Sequence, residues 1–133
     1  MNFLIDTNIC IYIMNKRPPE VIHRFKNIEV GQISISTVTV SELSYGASKS
    51  NFPEQNFKRL EEFLAPFEII SYSQSASKYY GELRSRLESQ GNVIGPLDLL
   101  IAAHALSENL ILVTNNEKEF KQIKSLKVEN WVT

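Results

Sequence analysis

Three acids in this chain sit where a carboxylate is costly to keep. Asp6 interrupts an apolar run, following Phe3-Leu4-Ile5 and preceding the apolar segment from Ile9 to Met14. Glu42 lies in Val38-Thr39-Val40-Ser41-Glu42-Leu43, and Asp98 in Ile94-Gly95-Pro96-Leu97-Asp98-Leu99-Leu100-Ile101-Ala102-Ala103. Desolvating an unpaired carboxylate costs several kcal/mol or drives it to its neutral form, so acids kept in such surroundings call for a cation, hydrogen-bond donors, or both. If the fold gathers the three, they make a hard-oxygen site suited to Mg²⁺, or Mn²⁺ in its place, with waters completing an octahedron at roughly 2.1 Å per ligand. The chemistry of such a site is metal-assisted hydrolysis, in which charge developing on a phosphodiester is offset and a water is made more acidic.

A fourth corner is expected in Thr114-Asn115-Asn116-Glu117-Lys118-Glu119-Phe120, where Asn116 and Glu119 are favoured over Glu117 to orient a water or supply an oxygen. Thr114 is placed to cap the last helix or to hydrogen-bond to Asp6, and Thr7 and Asn8 to fix the Asp6 rotamer. Each acid also has a structural use. Asp6 suits an Asx turn, Glu42 completes a capping box with Thr39, and Asp98 follows Pro96 into a first helical turn, where the helix dipole favours negative charge. Position separates the two readings: capping acids can lie anywhere, whereas acids that share an ion must converge. His104, on the same helix as Asp98, points about 240° away from it and reads as a packed or interfacial histidine. His23 is read the same way. Cys10 reads as a small core residue, and Trp131 and Tyr72 as core-closing aromatics rather than base-stacking ones.

Periodicity and punctuation place these residues in an α/β chain. Strands are expected over residues 2–5, 33–36, 68–71, 110–113 and 127–129, and helices over 8–15, 20–26, 40–49, 54–64, 75–90, 96–107 or 108, and 117–123. In the long helix Tyr79, Tyr80, Leu83 and Leu87 mark the expected buried stripe, and Gly91 stops it. Strands separated by helices pair in parallel, giving a three-layer α/β/α arrangement around a mainly parallel sheet of four to five strands. Function is then expected at the strands' carboxyl ends.

With 133 residues, 43% of them hydrophobic, the chain fits one domain spanning 1–133. No stretch reaches the roughly 18 apolar residues of a membrane span, and there is no basic leader, so a cytoplasmic location is expected. One cysteine and two histidines exclude a structural zinc site. Fourteen basic against fifteen acidic residues give a net charge of −1, so a nucleic-acid partner would need a local patch. Candidate patches are Lys16 with Arg17, Arg24 with Lys26, Arg84 with Arg86, and the series Lys118, Lys121, Lys124, Lys127, with Arg84 and Arg86 the first choice for flanking phosphates.

Four of these segments, in order along the chain, carry a resemblance. Leu4-Ile5-Asp6-Thr7-Asn8, Ser41-Glu42-Leu43 with Tyr45-Gly46-Ala47, Gly95-Pro96-Leu97-Asp98 with Ile101-Ala102-Ala103-His104-Ala105, and Val113-Thr114-Asn115-Asn116 ending in Glu119-Phe120 resemble the PIN-domain ribonucleases. More closely they resemble the VapC toxins of bacterial VapBC toxin–antitoxin pairs. That likeness implies Mg²⁺- or Mn²⁺-dependent endonucleolytic cleavage of RNA, with Asp6, Glu42 and Asp98 as the family's acids and Asn116 where many relatives have aspartate. It further implies a homodimer and a cognate VapB-type antitoxin, with no direct DNA binding in the antitoxin's absence. The Gly-Pro-Leu-Asp and Thr-Asn-Asn forms are most similar to the subgroup that cuts initiator tRNA in its anticodon stem-loop. Two other classes stay open. A receiver-like phosphoacceptor module would want an acceptor acid after the central strand and a lysine near the last; a catalytically inactive RNA-binding domain would need no metal.

Overall fold

The computed structural model describes residues 2–132. Its five strands form one all-parallel sheet in the order β3-β2-β1-β4-β5, where β1 is Phe3–Ile5, β2 Ile33–Ser36, β3 Glu68–Ile70, β4 Ile111–Val113 and β5 Val128–Glu129. Because side chains alternate along a strand, Leu4 and Leu112 face one side while Phe3, Ile5, Ile33, Ile35 and Val113 face the other. Helices α1 (Thr7–Asn15), α2 (Pro19–Lys26), α3 (Thr37–Ser48) and α4 (Pro53–Leu64) cover the second face. Helices α5 (Gln74–Ser89), α6 (Pro96–Ser107) and α7 (Glu117–Phe120) cover the first. This is the expected three-layer arrangement. The chain leaves β1 toward β2 and β3 on one side and reaches β4 and β5 on the other, so the sheet's switch point lies between β1 and β4, at whose carboxyl ends a crevice opens.

Most expected elements stand within a residue or two, and the differences have physical causes. Helix α3 begins at Thr37, three residues ahead of expectation, because Ser36 is its N-cap and accepts from the Val38 N–H at 3.0 Å. The capping box proposed for Thr39 and Glu42 is therefore absent, and Glu42 stands mid-helix. Helix α7 stops at Phe120 instead of 123: Phe120, Ile123 and Leu126 are buried at a spacing of three, which turns with i→i+3 bonds satisfy and an α-helix does not, and the Ile123 and Leu126 amides donate to Phe120 and Ile123. Tyr79 was expected in the α5 stripe, yet it is 40% exposed, and Ala76 takes its place beside Leu83 and Leu87. His23 lies on the surface beside Asn27, whereas Cys10, Trp131 and His104 are buried as expected. Among the described residues, no helix is long and apolar enough to cross a membrane.

Two glycines of the α5 region give opposite expectations. Gly91 holds φ at +75°, ending α5, and a Cβ there would meet nothing within 4 Å, so alanine brings backbone strain alone. Gly91→Ala should cost about 1 kcal/mol in urea unfolding. Gly81, mid-helix and equally open, should gain roughly 0.5 to 1 kcal/mol as alanine.

Candidate active site

Asp6 is the first residue after β1, and its amide continues the sheet by donating to the Val113 carbonyl at 3.1 Å. Its side chain caps α1, with Oδ1 accepting from the Ile9 N–H at 3.0 Å. Burial raises its pKa above the usual carboxylate range, opposed by a hydrogen bond from Thr114 and by backbone donors, while Glu42 adds to the rise. The cap is real, and it does not satisfy the charge.

Asp98 lies in the first turn of α6 behind Pro96, a residue suited to a helix's first position. Its pKa is raised to about 6, first by burial and then by the charges of Glu119, Asp6 and Glu42, with a hydrogen bond shared with Glu119. All four acids are thus within electrostatic reach of one another. Thr7, expected to steady Asp6, donates instead to Glu42 Oε1 at 2.7 Å and ties α1 to α3. Glu119 is doubly held: Oε1 accepts from the Gly95 N–H at 3.2 Å, and Oε2 from Asn116 Nδ2 at 2.5 Å. Asn116 accordingly reaches the cluster through Glu119. Glu117 turns away to Lys121 at 3.5 Å, in line with the preference for Glu119. Thr114 meets one of the two uses suggested for it, standing beside Asp6 and lowering its pKa, whereas its hydroxyl accepts from the Asn116 N–H at 3.0 Å and does not cap α7.

Sequence reasoning missed the brace behind the cluster. His104 Nδ1 lies 2.8 Å from Ser36 Oγ, the atom that also caps α3. Since α6 carries Asp98 and α3 carries Glu42, this buried pair fixes one acid-bearing helix against the other. Burial holds the imidazole below its usual pKa, hence neutral. The only sequence signal was a histidine and a serine in apolar surroundings. Ser36→Ala removes the cap and strands a buried ring nitrogen, and should cost about 1 to 3 kcal/mol in urea unfolding.

The donor set fits a divalent cation. It is carboxylate oxygen throughout, the choice of Mg²⁺ and Mn²⁺, and among the described residues none of these acids is neutralised by lysine or arginine. Among the described residues, no three His, Cys, Asp or Glu side chains are grouped closely enough to hold a metal ion together. Uncompensated repulsion has a pH signature. Asp98's folded pKa of about 6 lies above its ordinary 3.8, so the folded protein keeps a proton that the unfolded chain releases. The resulting loss of stability is absent below about pH 4, grows as pH rises, and is complete above about 6. In chelator the melting temperature should therefore fall through this range. Asp98→Asn should flatten that fall and melt at or above the parent near neutral pH; a variant melting well below it would reduce Asp98 to a first-turn cap.

Comparison with known proteins agrees with this geometry. The PIN domain profile matches residues 3–126. The chain is 49% identical to Ribonuclease VapC2 of Rickettsia felis, covering 98% of each. It is 42% identical to the tRNA(fMet)-specific endonuclease VapC of Shigella flexneri, again over 98% of both chains. Among solved structures, VapBC2 from Rickettsia felis bound to a fragment of promoter DNA superposes with a TM-score of 0.90 at 47% identity, covering 98% of this chain and 99% of that one. DNA-bound VapBC from Salmonella typhimurium gives 0.92 at 38%, covering 98% of each. With its acids gathered at the sheet's switch point and its sequence matched almost end to end, the chain belongs to the PIN-domain family.

Proposed function

We propose that this protein is the toxin of a toxin–antitoxin pair, an endoribonuclease that cuts initiator tRNA in its anticodon stem-loop and so halts translation, with residues 1–133 working as one domain. The observation that carries the reading is the crowd of acids around Asp98 at the carboxyl ends of β1 and β4, in a chain whose relatives bear ribonuclease and tRNA(fMet)-specific endonuclease names. PIN-domain ribonucleases generally depend on a divalent metal, and Mg²⁺, with Mn²⁺ as substitute, suits these oxygens. Asp6, Asp98 and Glu42 would hold the ion, whose part when bound is Lewis-acid polarisation of the phosphodiester and acidification of water.

The protein's own contribution is position and charge. Asp6 is fixed by the cap of α1 and by Thr114, and Glu42 by Thr7. Glu119, braced by Asn116 and the Gly95 amide, stands beside Asp98, where one of the two can hold a proton or accept one from a water. No serine, cysteine or histidine nucleophile is needed. The partners that follow are a second copy of the chain and a VapB-type antitoxin, in line with the VapBC complexes among its structural neighbours. The phosphoacceptor alternative has little support: β3 is an edge strand followed by Ser71-Tyr72-Ser73, with no acid to phosphorylate.

Purified protein should cut initiator tRNA with Mg²⁺ and fail in EDTA, with the new ends mapping to the anticodon stem-loop. Asp98→Asn should lower the cleavage rate at least about a hundredfold. Cleavage that survives EDTA would overturn the metal reading, and tight binding without cleavage in Mg²⁺ would favour an inactive RNA-binding domain.

A further inference from the structure

With a net charge of −1, any attraction for a polyanion must be local, and the chain's cations are not equally free to supply it. Arg24 is paired with Glu129 at 2.8 Å, and Lys121 with Glu117 at 3.5 Å. Arg84 is held by Glu88 at 3.1 Å and by the Tyr80 hydroxyl at 3.0 Å. Arg86 and Lys124 make no ion pair among the described residues, and they line one recess. Residues two apart on a helix point about 200° from each other, so Arg84 and Arg86 cannot serve one ligand. Arg84 belongs with its i±4 neighbours, and Arg86 faces the turn after α7.

The recess has a volume of about 100 Å³ and is also lined by Gln90, Gln122 and the apolar side chains of α5 and Ile123. That is room for a phosphate group rather than a nucleoside, a water's share of liquid volume being about 30 Å³. Its polar lining is a guanidinium, an ammonium and two carboxamides, all able to donate hydrogen bonds, with no carboxylate among them. The walls, the end of α5 and the turn after α7, continue directly into the two segments that Glu119 joins by accepting from Gly95. The donor recess is thus joined to the acid cluster by a few residues of chain on either side. Building on the ribonuclease reading, we propose that Arg86 and Lys124 form a phosphate subsite that grips the RNA backbone beside the position of cleavage.

The ionic-strength dependence of RNA binding tests this without relying on turnover. Full-length protein in an Asp98→Asn background is titrated with a fluorescein-labelled anticodon stem-loop RNA over a range of KCl concentrations. Each phosphate that the protein ceases to neutralise lowers the slope of log K against log salt by about 0.7 to 0.9, so Arg86→Ala with Lys124→Ala should lower it by about 1.4 to 1.8 and weaken binding at low salt. Arg86→Lys should keep the slope, and Arg84→Ala should change neither slope nor affinity. Arg86 also lies in the last turn of α5, where a cation favours the helix; a purely structural role would lower the melting temperature and leave the slope intact. A double variant with the parent's slope, or an Arg84→Ala variant with an equal loss, overturns the subsite. If the unmutated protein binds the RNA yet never cuts it, the nuclease reading fails while the slope still decides the subsite; if it does not bind, both fall.

Discussion

Like-charge crowding at the seam between β1 and β4 is the constraint that the rest of the molecule accommodates. Carboxylates placed there repel one another and resist desolvation, and a marginally stable protein has only some 5 to 15 kcal/mol in hand to tolerate them. The tolerance comes from both faces of the sheet: Leu4, Ile5, Ile33, Ile35, Leu112 and Val113 are almost wholly excluded from solvent. Each acid is also anchored at a rigid place, a strand end, a helix middle or a helix start. The strain is thus confined to the carboxyl groups.

Positioning relies on ties between elements distant in sequence. Thr7 to Glu42 joins α1 to α3, His104 to Ser36 joins α6 to α3, and Glu119 to Gly95 joins α7 to the entry of α6. At the far end of α1, Arg59 of α4 donates to the Met14 carbonyl at 2.8 Å and satisfies part of the helix terminus. Each tie links a segment that carries an acid to another helix or to the turn before one. They form a frame around the cluster, so a substitution remote from the acids can still shift their spacing.

Much of this was legible in the residues. Apolar runs split by Pro53, Pro96 and Gly91 marked α4, α5 and α6 because those residues act on the backbone locally, whatever surrounds them. The parallel sheet followed from strands alternating with helices. Asp6, Glu42, Asp98 and Glu119 stood out as acids in or beside core-like sequence, and the fold brings them within electrostatic reach of one another. Harder to read were features decided by tertiary partners. Ser36, and not Thr39, caps α3 while also meeting His104 from another helix, and Thr7 pairs with Glu42 on α3 and not with Asp6. Tyr79 illustrates the limit of periodicity: the stripe was right, but its edge depended on what α6 left uncovered.

The pairing of β1 with β4 sets when this chemistry can exist. Phe3, Leu4 and Ile5 find their register on Ile111, Leu112 and Val113, and Asp6 leans on Val113 through its own amide. During synthesis Asp6 leaves the ribosome long before Ile111–Val113, the strand that must seat it. A ribosome making this protein is therefore not exposed to an assembled acid cluster until β4 has emerged and paired with β1.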